Sequence, residues 1–165
     1  LADYNGVISS NSNIYVKGEV NGQVTIHSSN NIKIIGDITY ADNPISNPAS
    51  NDLLGIVSEG MVVVDDNAHI DHGSQDLYLD ASIMALGNSF TVEDYGDGGP
   101  RGRLYILGGV IQETRGAVGT FTRYNDQSYL RSGFQKSYSY DQRLMTQWPP
   151  YYPVRDKYSI ISWQE

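Results

Sequence analysis

The chain has 165 residues, 11 of them basic and 19 acidic, for a formal net charge of −8. That length suits one domain, and the acidic balance argues against a general nucleic-acid binder, which must neutralise phosphates with clustered Lys and Arg. Cysteine is absent, which excludes disulfides, thiolate zinc sites, iron–sulfur clusters and cysteine nucleophiles, and no apolar run reaches the ~18 residues that a membrane span requires.

From the start of the chain, β-branched residues recur every six positions: Ile8, Ile14, Val20, Ile26, Ile32, Ile38. Leu1 does not open a secretory signal, so export would call on a targeting segment outside this chain. Three six-residue units make 18, and Asn13-Ile14-Tyr15-Val16-Lys17-Gly18-Glu19-Val20 aligns at that distance with Asn31-Ile32-Lys33-Ile34-Ile35-Gly36-Asp37-Ile38. A hexapeptide period is the signature of a parallel β-helix, in which three short strands make one coil. Alternation within a unit (Ile14 and Val16, Ile32 and Ile34) turns one side of each strand inward. Gly18, Gly22 and Gly36 are expected at corners that need positive φ. Asn13 and Asn31 are expected to stack as a ladder one coil apart, and Glu19 to stack on Asp37. The step of 18 from Ile38 reaches Ile56, so the insertion at 41–52 is expected to keep the phase.

Further strands are predicted over 54–64, 77–86, 90–92, 104–111 and 118–121, separated by turn-rich spacers at 41–52, 65–76 and 94–102. A single helical turn is predicted over 141–147. Pro149, Pro150 and Pro153 keep the end of the chain out of any central strand, while 158–163 alternates like an edge strand. Open coil ends expose unpaired edges, so a solenoid needs caps. The expected fold is therefore all-β: a single-stranded parallel β-helix with roughly triangular coils, right-handed by the general crossover preference. Residues 1–136 form the solenoid body with inserted loops, and residues 137–165 a Pro/Tyr/Trp-rich capping tail of the same domain.

Composition divides the chain further. The first 100 residues carry 2 basic and 14 acidic side chains, and the last 65 carry 9 and 5, so the two parts have net charges of −12 and +4. Seven of the 13 tyrosines lie from Tyr124 onward, with both tryptophans. The simplest account is a basic, aromatic end piece packing back on an acidic, Gly-rich body.

Several segments together carry a family likeness: Gly36-Asp37-Ile38-Thr39-Tyr40-Ala41-Asp42, Leu54-Gly55-Ile56-Val57, Ile83-Met84-Ala85-Leu86-Gly87 and Gly116-Ala117-Val118-Gly119-Thr120-Phe121. The ending Tyr140-Asp141-Gln142-Arg143-Leu144, then Pro149-Pro150-Tyr151-Tyr152-Pro153, belongs with them. In combination, over residues 6–165, these resemble the bacterial domain of unknown function DUF4900. It occurs in cell-surface proteins that often begin with a pilin-like or pilus-assembly (PilX-like) segment. The resemblance implies a bacterial, extracellular β-solenoid and the ectodomain of a type IV pilus-associated, minor pilin-like protein. It brings no catalytic residues. This chain lacks the hydrophobic N-terminal helix of that layout. A looser likeness to bactofilins, which polymerise end to end through β-helical coils, rests on the repeat alone.

Candidate chemistry is sparse. Gly96-Asp97-Gly98-Gly99-Pro100-Arg101-Gly102 lacks the Lys-Ser/Thr of a phosphate loop and reads as a turn. His69, Asp71, His72 and Asp76 are residue types that bind divalent metals, and they are the candidate metal ligands, as in hexapeptide-repeat enzymes; a polar loop is the simpler account. The acids Asp65, Asp66, Asp71, Asp76 and Asp80, and the stacked Glu19/Asp37 pair, are the oxygen ligands a Ca²⁺ site would use; the spacing of a known calcium loop is absent, and a solvated acidic face is the simpler account. No cofactor is expected, with calcium as the one alternative. Polyuronate cleavage is disfavoured by the acidic body, and no G-x-S-x-G nucleophile signature occurs. Tyr138, Tyr140, Trp148, Tyr151, Tyr152 and Trp163 are candidate binding residues, an aromatic platform for glycans or a partner protein, set against a simple hydrophobic cap. The expectation is a non-enzymatic structural or adhesive cell-surface module with protein partners in a pilus or surface assembly. The alternatives are a secreted carbohydrate-binding module using the aromatic tail and, third, a metal-dependent hexapeptide enzyme.

Overall fold

The computed structural model describes residues 5–70 and 75–153. Eleven strands follow one another: β1 (Asn5–Ser10), β2 (Ile14–Val20), β3 (Gln23–Ser28), β4 (Ile32–Tyr40), β5 (Leu53–Ser58), β6 (Val62–Val64), β7 (Leu77–Ala85), β8 (Phe90–Val92), β9 (Pro100–Gln112), β10 (Gly119–Tyr124) and β11 (Gln127–Tyr140). A single 3₁₀ turn, Gln142–Met145, comes after them. The described chain is thus nearly all β. Among the described residues no helix is long and apolar enough to cross a membrane.

The strands pair alternately rather than consecutively. β1, β3, β5, β7, β9 and β11 form one parallel row, and β2, β4, β6 and β8 a second. The rows join where Ile38 of β4 pairs with Leu79 of β7. Among the described strands only β10 and β11 run antiparallel. Register stacks like residues on like: Ile8, Ile26, Ile56, Ile83 and Val110 lie one above another, as do Ile14, Ile32, Val62 and Phe90. In the middle of these columns Ile32, Ile56, Val62 and Ile83 are wholly buried, whereas Ile8 at the first strand is 44% exposed.

The connections repeat one local device. Ser10, Ser28 and Ser58 each accept, at Oγ, the backbone N–H two residues on, at 3.1, 3.0 and 3.1 Å. Ser28 and Ser58 also donate to a carbonyl of the preceding corner, to Ser12 O at 2.8 Å and Asn30 O at 2.6 Å. Short hydroxyl side chains bond local backbone readily, so they close these corners. The expected asparagine ladder is present in a side-chain-to-backbone form: Asn31 N donates to Asn13 Oδ1 and Met61 N to Asn31 Oδ1.

Several details differ from the sequence reading. Gly18 and Gly22 have φ of +116° and +104°, as expected, but Gly36 does not and lies inside β4 at an inward position. The step of 18 holds from Ile14 to Val16 and then shifts by two, so Gly18 faces Ile38 and Glu19 faces Thr39 rather than Asp37. Ile56 stacks on Ile26, 30 residues away, and not on Ile38, because the insertion at 41–52 loops wholly out. The Asp52 carboxylate closes that loop, accepting Gly22 N at 2.6 Å and Asp42 N at 2.8 Å. The predicted 54–64 strand is broken by a corner into β5 and β6, and β11 is a strand of 14 residues that apolar patterning did not reveal. β11 also runs through the 136/137 boundary assigned from composition.

Candidate functional site

Past β11 the chain turns back across the sheet. Asp141 caps the 3₁₀ turn, accepting Arg143 N, and pairs with the same residue's guanidinium, Nη2 to Oδ2 at 2.7 Å and Nε to Oδ1 at 3.0 Å. Arg143 also donates from Nη1 to Ser50 O at 2.9 Å and lies over the Tyr40 ring at 5.4 Å. The tail is thereby tied to the inserted loop by a buried, fork-shaped pair, the geometry in which Arg surpasses Lys. Further on, Tyr152 packs with Val57 and Met84, and its hydroxyl accepts from Ser82 Oγ at 2.9 Å. Gly55 makes room for it: a Cβ there would stand 2.6 Å from Tyr152 Cδ2 and 3.0 Å from Pro149 Cβ.

The six aromatic candidates therefore separate. Tyr152 is buried, 8% exposed, and anchors the tail. Tyr140, Trp148 and Tyr151 are open to solvent at 57%, 48% and 81%. Tyr140 borders a cavity of about 500 Å³ between the inserted loop (Pro44, Ile45, Pro48) and the tail, with Leu107 at its base. Tyr138 borders a different cavity of about 530 Å³, with Phe90, Val110, Gln112, Glu113, Arg115, Gly116 and Lys136. Burial pushes the Tyr138 hydroxyl up to about 12, although the Arg115 charge opposes it, so the group remains a neutral donor at neutral pH. Burial, and then the Arg115 charge, lowers Lys136. Trp163 lies outside the described residues.

Of the metal candidates, Asp71 and His72 also lie outside the described residues. His69 meets the buried Phe134 ring edge-on at 5.5 Å. Asp76 accepts Arg103 N at 2.7 Å, which sets the start of β9 on the strand before it. Among the described residues no three His, Cys, Asp or Glu groups converge on a metal position. Of the described acids considered for calcium, Glu19 faces Thr39 rather than Asp37, Asp37 accepts Tyr78 N at 2.9 Å, and the others also have partners. Asp65 and Glu93 clasp Lys33 at 2.8 Å each, and Asp66 pairs with Arg101. Burial raises the Asp65 carboxyl, but the Lys33 ammonium and the Asn67 N–H outweigh it and hold it below the usual range. Asp80 accepts Tyr40 N at 3.1 Å, and burial, the larger influence, pushes its carboxyl up.

One polar chain was not anticipated. Ser9 Oγ lies 2.8 Å from His27 Nδ1, and His27 Nε2 lies 3.2 Å from Glu59 Oε1. The three stand at 18 and 32 residues' separation, so only strand stacking brings them together. The arrangement has the connectivity of a Ser–His–acid triad, but it lies on the outer strand face, Glu59 is more than half exposed, and neither cavity above includes it. It links β1, β3 and the turn after β5. Comparison with protein-family models, curated proteins and solved structures finds no match to this chain.

Proposed function

We propose that the chain is a non-enzymatic structural and adhesive module of a bacterial cell surface, coiled as a β-solenoid and serving as the ectodomain of a pilus-associated, minor pilin-like protein. One observation carries the reading: five strands, β1, β3, β5, β7 and β9, stack in parallel, in register, over a continuous aliphatic column. Such a column is stiff along its axis, because every strand is bonded to the next and no hinge interrupts the row. The alternating rows, with corners closed by the same Ser–backbone bonds, support a coil path rather than a flat open sheet. The likeness to DUF4900 supplies the surface setting.

The test is location in the source cells. An antibody raised to this chain is expected to label intact cells, and external protease to remove the label. Label appearing only after lysis would overturn the reading.

A second reading, a secreted carbohydrate-binding module, is favoured by the exposure of Trp148 and Tyr151. It predicts neutral-glycan binding lost in a Trp148→Ala, Tyr151→Ala double variant. Tyr152 is left intact, since its removal would unseat the tail. Unchanged affinity would remove this reading.

A further inference from the structure

Strand β11 continues two columns of the core in an unusual way. Leu77 of β7 pairs with Leu104 of β9, and Leu104 with Lys136 of β11. Leu79 likewise pairs with Ile106, and Ile106 with Tyr138. In each column a buried aliphatic position is followed, on the last strand, by a residue with a polar head. An ammonium is a poor continuation of a leucine column, because burying an unpaired charge is costly. Here the end of the column opens into the cavity of about 530 Å³ bordered by Lys136, Tyr138, Arg115, Gln112, Phe90 and Val110.

We propose that this cavity is an anion-binding site in which Lys136 and Arg115 receive the carboxylate of an acidic sugar, with the Tyr138 hydroxyl as a further donor.

Apart from Lys136, the buried or half-buried cations of the body already have carboxylates: Lys33 has Asp65 and Glu93, Arg101 has Asp66, and Arg143 has Asp141. Among the described residues Arg115 and Lys136 form no ion pair. Glu113 also borders the cavity without closing on either cation. Two cations border the cavity against the single carboxylate of Glu113, an excess of positive charge that attracts an anion, and the second part of the chain, net +4 over residues 101–165, reinforces them.

The site is preformed. Gln112 Oε1 accepts both Phe90 N at 2.9 Å and Gly116 N at 3.0 Å, leaving its amide nitrogen as the donor it offers a ligand. Gly116 has no space for a Cβ against the Phe90 carbonyl, and Ala117 O accepts from Thr91 Oγ1 at 2.7 Å and Val92 N at 3.1 Å. The loop that carries Arg115 is therefore fixed on β8. Its guanidinium offers the fork that matches a carboxylate. Phe90 and Val110 give an apolar wall, and the volume lies within the range of small-molecule sites. An organic body bearing the charge fits this lining better than a bare inorganic anion. Lys136 Nζ already lies 5.8 Å from the Tyr138 ring centroid, so the sugar is held by its charge and edges rather than by stacking on that face.

An inward-pointing lysine also blunts a sheet edge against association, and this competing role has a different signature. The experiment titrates the full chain with sodium glucuronate, glucose and sodium sulfate, followed by amide NMR shifts and by analytical ultracentrifugation. Wild type is expected to bind glucuronate saturably, with shifts at Arg115, Lys136 and Tyr138, more weakly as salt rises, and glucose not at all. Lys136→Met and Arg115→Gln are each expected to weaken glucuronate binding tenfold or more with unchanged denaturation midpoints; Arg115 is exposed, so its variant keeps the fold. Absence of saturable binding in wild type would overturn the proposal. So would a Lys136→Met protein that self-associates while binding glucuronate as before. Tighter binding of sulfate than of glucuronate would overturn the assignment to a carboxylate.

Discussion

Removing side chains along a single column tests the stacking directly. Ile56 is fully buried between Ile26 and Ile83, while Ile8 at the end of the same column is 44% exposed. Ile56→Ala deletes three carbons from a sealed position, a transfer loss of about 2.4 kcal/mol at about 0.8 kcal/mol per carbon. The cavity left behind adds to this, placing the total at about 3–4 kcal/mol, within the range for Ile→Ala in cores. Ile8→Ala deletes the same atoms, but a little over half of their surface is buried, and solvent fills the gap. Its cost is about 1.3 kcal/mol with no cavity term. The difference of about 2 kcal/mol corresponds to roughly 4–8 °C in Tm for a chain of this size. Urea denaturation followed by circular dichroism measures it, with a constant slope confirming that only stability has changed. Equal losses at the two positions would refute a continuous column with one open end.

Two further outcomes follow from the packing. Burial raises the Asp80 carboxyl, though the Tyr40 N–H opposes it, so the ionised form is disfavoured in the fold: its contribution to stability is complete below about pH 4, the unfolded value, and falls as pH rises through the folded one. Asp80→Asn keeps an acceptor for Tyr40 N and is expected to match or exceed wild-type stability at pH 7 and to flatten that slope; a loss above about 2 kcal/mol in urea midpoints at pH 7 would contradict this. Tyr152→Phe is expected to cost about 1 kcal/mol through the lost bond to Ser82, whereas Tyr152→Ala costs about 3 kcal/mol or more and opens the tail to limited proteolysis. An intact tail in Tyr152→Ala, read by mass spectrometry of the digest, would show that the anchor lies elsewhere.

The legible part of this protein was the part that repeats. A six-residue recurrence of Ile and Val states its own period, and with it the parallel stacking of β1 on β3 and the start of β2 on β4. The asparagine ladder and the positive φ at Gly18 and Gly22 were legible for the same reason: they recur, or only glycine serves. The register slip after Val16 was not, because a two-residue shift leaves composition and period untouched. β11 was missed because its buried positions are only Ser132, Gly133 and Phe134, and the residues that continue the core columns, Lys136 and Tyr138, read as surface.

The candidate site divides along the same line. Sequence alone determined an acidic body with a basic, aromatic end, since charge and residue type are written in the chain. Only tertiary structure decided that Tyr152 is an anchor while Trp148 and Tyr151 face solvent, because aromatic rings serve both roles equally well. It alone brought Arg115 to Lys136 across 21 residues, and Ser9 to Glu59 across 50, through His27. The physical reason is that side-chain chemistry is local and encoded residue by residue. Which groups share a cavity or a column is set by strand register, and register is a sum over many weak contacts that no single segment contains.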